Sequence, residues 1–324
     1  MSILEIKNLN VVYTGRNEDV HAVNDVSLTI QAGESIGIVG ESGSGKSTLA
    51  MAVLRLLPEK KTNVTGDIKF NGVDVLSMSS KDYKQIRWKE ISVVFQKSMN
   101  ALSPIHKIGS QLEDIYRVHE PNESKKKIKE EILKLFAMVN LSERVYSLYP
   151  HELSGGMLQR VSIALSLIHQ PSFIVLDEAT TALDVVTQGQ ILSEIKKLES
   201  EISMTRMMIT HDISVVATSC DKVAVMYAGK VMEVGKVKDV LLSPAHPYTQ
   251  GLMNSFPSLK GEKKQLSGIK GFLPNLSEKQ IGCIFVPRCQ FAKSICQTTS
   301  PKDYELGQEH RSSCHMHGSE YYEK

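Results

Sequence analysis

Residues 40 to 48 read Gly40-Glu41-Ser42-Gly43-Ser44-Gly45-Lys46-Ser47-Thr48. The run Ser35-Ile36-Gly37-Ile38-Val39 before them has the apolar content of a buried strand, and Thr48 to Leu57 after them reads as a helix. Gly, four residues, then Gly-Lys-Ser between a strand and a helix is the spacing of a phosphate-binding loop. Glycine tolerates the unusual backbone angles of such a loop and leaves its N–H groups open to an anion. The positive end of the following helix adds to the attraction. The candidate contacts with a nucleoside triphosphate are Gly40, Ser42, Gly43, Ser44, Gly45, Lys46, Ser47 and Thr48. Lys46 reaches the outer phosphates, and the Ser47 hydroxyl is an oxygen ligand for Mg²⁺.

Composition bounds the rest. The chain has 324 residues, 41% hydrophobic, enough for a large core and a smaller second piece. A net charge of +2 gives no footprint for nucleic acid. Apolar runs such as Phe173 to Leu176 are far too short to cross a bilayer, and Met1-Ser2-Ile3-Leu4-Glu5 lacks a signal-peptide layout. The expectation is a cytoplasmic chain whose membrane role, if any, comes through partners. Structural disulfides are not expected in that compartment.

The hydrophobic pattern extends outward from the loop. Leu4 and Ile6, Ala22 to Ile30, Gly66 to Phe70 and Ile91 to Phe95 read as strands. Ile128 to Val139 and Met157 to His169 have helical spacing, so the region from 107 to 170 is a helical insert. Strands return at Phe173 to Leu176, Met204 to Ile209 and Lys222 to Met226, with a helix at Thr187 to Leu198. Such alternation predicts a mostly parallel sheet covered on both faces. Beyond Pro257 the chain turns Lys-, Gly- and Ser-rich, and a domain boundary is expected there.

Two further strings carry chemistry. Phe173-Ile174-Val175-Leu176-Asp177-Glu178 is an apolar strand ending in two carboxylates, and a parallel strand delivers that end to a ligand crevice. Asp177 is a candidate Mg²⁺ ligand, and Glu178 a candidate base that polarises the attacking water. Leu153-Ser154-Gly155-Gly156-Met157-Leu158-Gln159-Arg160 places a capping serine before a helix whose first N–H groups are bare, a second anion site.

With that string the chain resembles the ATP-binding subunits of ABC transporters. The resemblance implies a P-loop NTPase fold of the α/β class: a RecA-like mixed sheet with an antiparallel β subdomain, a helical ABC subdomain at about 97–170, and a small Cys-rich extension. Residues 1–257 would form the nucleotide-binding domain and 258–324 the extension. It further implies that Ser154, Gly155 and Gly156 contact the γ-phosphate of ATP held by the opposite protomer. Tyr13 stands where an aromatic ring stacks on adenine, and Gln96 matches the glutamine that links Mg²⁺ and water to the membrane subunit. Asp184, in Ala182-Leu183-Asp184, matches a loop that crosses the dimer interface, and His211 matches a switch histidine at the γ-phosphate.

A narrower likeness joins Val39-Gly40-Glu41-Ser42-Gly43, Met99-Asn100-Ala101-Leu102-Ser103-Pro104 and His246-Pro247-Tyr248-Thr249 to the dipeptide/oligopeptide importer ATPases. Lys97-Ser98 after Gln96 and Leu158 in the signature are mild departures. This branch implies a peripheral ATPase at the cytoplasmic face of the membrane. Its partners would be a second ABC ATPase (a paralogue, or a second copy), two membrane permeases and an extracytoplasmic substrate-binding protein. Nickel or oligosaccharide cargo is the alternative to peptides. A soluble or redox-regulated ABC ATPase outside transport is the alternative of another class.

Cys283, Cys289, Cys296 and Cys314 are separated by five, six and seventeen residues. Four thiolates suit a tetrahedral Zn²⁺ or an iron–sulfur cluster, and the spacing matches neither the zinc ribbon nor the ferredoxin run. Free buried thiols, or mixed zinc ligation with His310, His315 or His317, remain open on chemistry alone. Gly282-Cys283-Ile284-Phe285 and Pro287-Arg288-Cys289 resemble the extension of the peptide-importer branch, which implies a [4Fe–4S] cluster of structural role. Cys220 stands outside this set.

Overall fold

The structure is a computed structural model and describes residues 1–324 apart from 17, 96–101, 180–184, 256–267, 279 and 323–324. In chain order the elements begin with β1 (Ser2–Tyr13), β2 (Val20–Gln31), β3 (Ser35–Val39), α1 (Lys46–Val53), β4 (Thr62–Phe70) and β5 (Val73–Asp74). Then come α2 (Ser80–Ile86), β6 (Ile91–Phe95), α3 (Ile108–His119), α4 (Lys125–Met138), α5 (Gly155–Ser166) and β7 (Phe173–Asp177). They are followed by α6 (Val185–Ile202), β8 (Thr205–Ile209), α7 (Ile213–Ser219), β9 (Lys222–Tyr227) and β10 (Lys230–Lys236). The last are α8 (Val237–Leu242), α9 (Pro247–Asn254), α10 (Ser294–Thr298), β11 (Tyr304–Gly307) and β12 (His310–Ser312).

The chain divides into two units. One comprises Met1–Ile3, Ile30–Ser35 and Phe70–Ile209; the other comprises Leu4–Thr29, Ile36–Lys69 and Thr210–Lys324. In the first unit β6, β7 and β8 are parallel neighbours, with Val93 opposite Val175 and Val175 opposite Met207. All five residues of β7 and of β8 are buried; β7 reads as an apolar run up to Asp177, whereas β8 carries the buried Arg206, which pairs with Glu199 at 2.7 Å. The helical insert follows in α3 to α5. In α4 the buried positions Ile128, Ile132, Leu135 and Phe136 recur at helical spacing, and Ser124 caps its start.

In the second unit β3 pairs with β9 in parallel, Ile38 opposite Ala224. β9 then pairs antiparallel with β10, and β10 with β12. The chain's last hairpin, β11–β12, thus extends the strand set that starts with β3. A separate sheet in this unit places β1 between β2 and β4. The core of the unit draws on both early and late sequence: Val39, Val216, Val225, Tyr227 and Tyr248 pack with Ile284 and Phe285.

The strand expectations hold closely, and β3 and β6 span the predicted residues. α1 differs, running Lys46–Val53 instead of Thr48–Leu57. It starts earlier because the loop feeds directly into it. It stops earlier because Arg55 turns to a left-handed φ of 45° ahead of Pro58, where a helix cannot continue. The extension is less loosely built than its composition suggests, since Ile284, Phe285, Cys296 and Tyr321 are buried. Among the described residues no helix is long and apolar enough to cross a membrane.

Phe173 is fully buried in β7 and meets Phe70 edge-on at 6.2 Å between ring centroids. Phe173→Ala is expected to cost about 3–5 kcal/mol of stability, read as a lower denaturant midpoint.

Candidate functional site

The phosphate loop occupies the turn between β3 and α1. Gly40, Gly43 and Gly45 all have positive φ, at 152°, 80° and 97°. Two of them also have no room for a side chain: a Cβ on Gly40 would lie 2.1 Å from the Met226 carbonyl oxygen, and one on Gly45 2.3 Å from that of Ala22. The loop needs glycine for two reasons at once, backbone angle and close approach. Lys46 turns back into the loop, where its ammonium donates to the Gly40 carbonyl at 2.8 Å and the Glu41 carbonyl at 2.9 Å. The Ser44 hydroxyl lies 3.3 Å away. The amine is therefore held at the centre of the ring of amides that a triphosphate would enter.

Other predicted groups of the second unit stand as follows. The Tyr13 hydroxyl lies 3.4 Å from the Thr48 hydroxyl, so the ring proposed for adenine is next to the first turn of α1. His211 is exposed at the residue before Asp212, whose carboxylate caps α7 by accepting from Ser214 N–H. Ser47 is the second residue of α1.

The first unit holds the carboxylates and the signature string. Asp177 ends β7 and is 8% exposed, level with Phe95 on one neighbour and Ile209 on the other. Glu178 follows with a φ of 49°, a left-handed angle unusual for a non-glycine residue, and its N–H donates to the Ile209 carbonyl at 2.9 Å. Backbone strain of this kind clusters where a side chain must be aimed. Ser154 is the N-cap of α5 and accepts from Met157 N–H. A Cβ on Gly155 would meet open space, whereas one on Gly156 would stand 3.0 Å from the Thr187 methyl. Arg160 anchors that helix by donating to the Val139 carbonyl at 2.8 Å and pairing with Glu194. Gln96 and Asp184 lie outside the described residues.

No disulfide joins any of the five cysteines. Cys283, Cys289, Cys296 and Cys314 line one apolar cavity of about 20 Å³ together with Phe285, Phe291, His315 and Tyr321. Burial pushes the Cys283 thiol up to about 11 and the Cys314 thiol to about 12, with a further push from the neighbouring cysteines. Burial also raises Cys289. Four sulfurs in one cavity fit a thiophilic metal in donor type and number. Among the described residues, however, no group of three or more His, Cys, Asp or Glu is arranged to hold a metal ion. His310 is engaged elsewhere, with its Nε2 2.9 Å from the buried Glu233 carboxylate.

Three residues at the loop escaped the motif reading: Glu41, Tyr248 and Arg288. The Glu41 N–H donates to the Tyr248 hydroxyl at 3.1 Å, and its carboxylate accepts from Arg288 at 2.9 Å. The available signal was that His246-Pro247-Tyr248-Thr249 and Pro287-Arg288-Cys289 recur as short strings in the resembling branch. Nothing in the spacing showed that they meet the loop.

Comparison with known proteins gives the family. The ABC transporter family profile matches residues 23–181, and the profile for the oligopeptide/dipeptide transporter C-terminal region matches 232–296. The oligopeptide transport ATP-binding protein OppD of Salmonella typhimurium is 42% identical over 301 residues, 92% of this chain and 89% of its own length. A probable peptide ABC transporter ATP-binding protein of Sinorhizobium fredii is 39% identical, covering 96% and 94%. Among solved structures, a dimeric ATP-binding cassette in a post-hydrolysis state, bound to ADP and Pi, aligns with a TM-score of 0.65 at 30% identity. That alignment covers 72% of this chain and 98% of the other.

Gly45→Ala is expected to weaken nucleotide binding at least tenfold, about 1.4 kcal/mol, while far-UV circular dichroism stays unchanged. Titration with a fluorescent ATP analogue checks it.

Proposed function

Because the chain belongs to the ABC transporter ATP-binding subunits, in the oligopeptide/dipeptide branch, we propose that it hydrolyses ATP to drive import of peptides across the cytoplasmic membrane. The observation that carries the reading is the loop itself. Three glycines at positive φ open into the N-terminus of α1, with the Lys46 ammonium at the centre. Such a cradle takes a triphosphate and has no evident second use.

The roles are assigned residue by residue. Backbone amides of 43–47 and the Lys46 ammonium hold the β- and γ-phosphates, and Tyr13 stacks on the base. The Ser47 hydroxyl and the Asp177 carboxylate, with Gln96, are hard oxygen donors of the type Mg²⁺ takes. When bound by donors of this type, Mg²⁺ would offset phosphate charge. Glu178 orients and deprotonates the attacking water, and His211 reports on the γ-phosphate. Ser154, Gly155 and Gly156 act on the nucleotide of a second ATPase subunit, with Asp184 at the same junction. Each chain carries one loop and one signature, so a functional unit requires two ATPase subunits. We take the partner to be a paralogue, and the pair to sit on two permeases at the cytoplasmic face, fed by a binding protein outside.

The thiol cavity is proposed to hold a [4Fe–4S] cluster. The supporting facts are four cysteines lining one apolar cavity and an extension match that includes Cys283, Cys289 and Cys296. Cysteine sulfurs would ligate the cluster irons as thiolates, and metal charge would remove the protons that burial now favours. Anaerobic preparation is expected to give iron and acid-labile sulfide in equal amounts with a broad absorption in the blue. Stoichiometric zinc without iron would sink the assignment.

Glu178→Gln is expected to retain ATP binding and lose at least a hundredfold in turnover. Unchanged hydrolysis would remove Glu178 as the base. In the assembled transporter, a peptide-loaded binding protein is expected to raise ATP hydrolysis several-fold. Absence of any rise on adding permeases and loaded binding protein would favour an ATPase outside transport.

A further inference from the structure

Arg288 lies in the C-terminal extension, one residue before Cys289, yet its side chain ends at the phosphate loop. The side chain is only 4% exposed. Its Nη1 donates to Glu41 Oε2 at 2.9 Å, its Nε to the Lys270 carbonyl at 3.0 Å and its Nη2 to the Ile269 carbonyl at 3.0 Å. The guanidinium stands over the Tyr227 ring, 5.5 Å from its centroid. Tyr227, Tyr248 and Phe285 pack around one another with centroids 4.7 to 5.4 Å apart, so the cation rests on a rigid aromatic base.

Glu41 receives all of this. Its N–H is held by Tyr248, its carboxylate by Arg288, and its carbonyl accepts from Lys46. Gly43 is also approached from the extension, since a Cβ there would stand 3.3 Å from a Leu273 methyl. An unpaired carboxylate at Glu41 would face the charge of an incoming triphosphate. A buried guanidinium paired to it removes that repulsion and fixes the side chain through a planar fork that lysine cannot reproduce.

We propose that Arg288 is a positioning residue of the nucleotide site: it fixes and neutralises Glu41, and through Glu41 sets the loop that Lys46 and the triphosphate share. The C-terminal extension thereby acts on ATP affinity. This rests on the reading of residues 40–48 as the triphosphate cradle.

The test uses the full chain, titrated with a fluorescent ATP analogue, and the assembled transporter for KM and kcat. Arg288→Gln is expected to weaken binding about tenfold and to raise KM in step, with kcat within about twofold. Arg288→Lys should recover only part of the loss. Adding Glu41→Gln to Arg288→Gln should recover most of it, because the unpaired carboxylate is gone. A purely structural arginine would instead lower only the active fraction, leaving KM and the affinity of the folded chain unchanged, and the second substitution would not help. Should Arg288→Gln fail to fold, Arg288→Lys keeps the charge without the planar fork and is expected to weaken binding several-fold. Binding within twofold of the parent for Arg288→Gln, or for Arg288→Lys where Arg288→Gln does not fold, or a double variant no tighter than Arg288→Gln, would overturn the proposal. Lys46→Ala separates the two readings. Lost binding there with Arg288→Gln unaffected removes only the role of Arg288, whereas normal binding in Lys46→Ala removes the cradle as well.

Discussion

The close approach of two carbonyls to the phosphate loop is the constraint on which the second unit depends. Met226 of β9 presses on Gly40, and Ala22 of β2 presses on Gly45. The loop is thus clamped between neighbouring strands and not merely suspended between β3 and α1. Its register follows from that of the strands: Ile38 opposite Ala224 and Val39 opposite Val225 bring the end of β9 beside Gly40. A side chain at either glycine would have to displace backbone, which a packed strand pair resists far more than a mobile side chain would. The charge arrangement follows from the same clamp. With the backbone held, Lys46 finds the Gly40 and Glu41 carbonyls at hydrogen-bond distance, and its ammonium stays put though almost wholly buried.

The extension is joined to this unit by polar groups as well as by apolar burial. Glu233, in the middle of β10, is 1% exposed and accepts from the N–H groups of Ala245 and His246 and pairs with His310 of β12. One buried carboxylate therefore ties α9 and the terminal hairpin to the same strand. A carboxylate so deeply placed is tolerated because its lone pairs are taken by several donors. His246 is buried beside it, and burial together with the nearby His317 lowers its pKa to about 3, so it stays neutral at cellular pH and caps α9 by accepting from Tyr248 N–H. Tyr248 is the residue that then holds Glu41. Burial of the carboxylate, capping of α9 and support of the loop are consecutive links of one chain of contacts.

What was legible in the sequence, and what was not, follows from the range of each interaction. β3, β6 and β7 were readable because buried or mostly buried strands are rich in apolar residues. The loop and Ser154 were readable because their chemistry is set by neighbours a few residues away. Glu178 was identified as a carboxylate after a strand, but its left-handed backbone was not, since φ leaves no mark on side-chain type there. β10 was passed over because Glu233 in Lys-Val-Met-Glu-Val-Gly-Lys looks like a solvent-facing residue, and its donors lie 12, 13 and 77 positions away. The four cysteines were grouped by their crowding near the end of the sequence, and they line one cavity. Their shared cavity depends on the turn at Gly282, where φ is 73° and a Cβ would meet the Cys296 carbonyl at 2.4 Å.

Placement of Arg288 joins the two chemistries of the second unit. Cys289 N–H donates to the Val286 carbonyl and Arg288 N–H to that of Phe285, so residues 285–289 form one tight turn. Phe285 and Cys289 line the thiol cavity, while Arg288 in the same turn points to Glu41. A turn of five residues has few independent dihedrals, and whatever orders Cys289 also orders Arg288. An extension that only capped the fold would have no need of a buried guanidinium aimed at the loop, given the cost of desolvating that charge. The arrangement is economical only if the position of Glu41 matters to the anion that the loop receives.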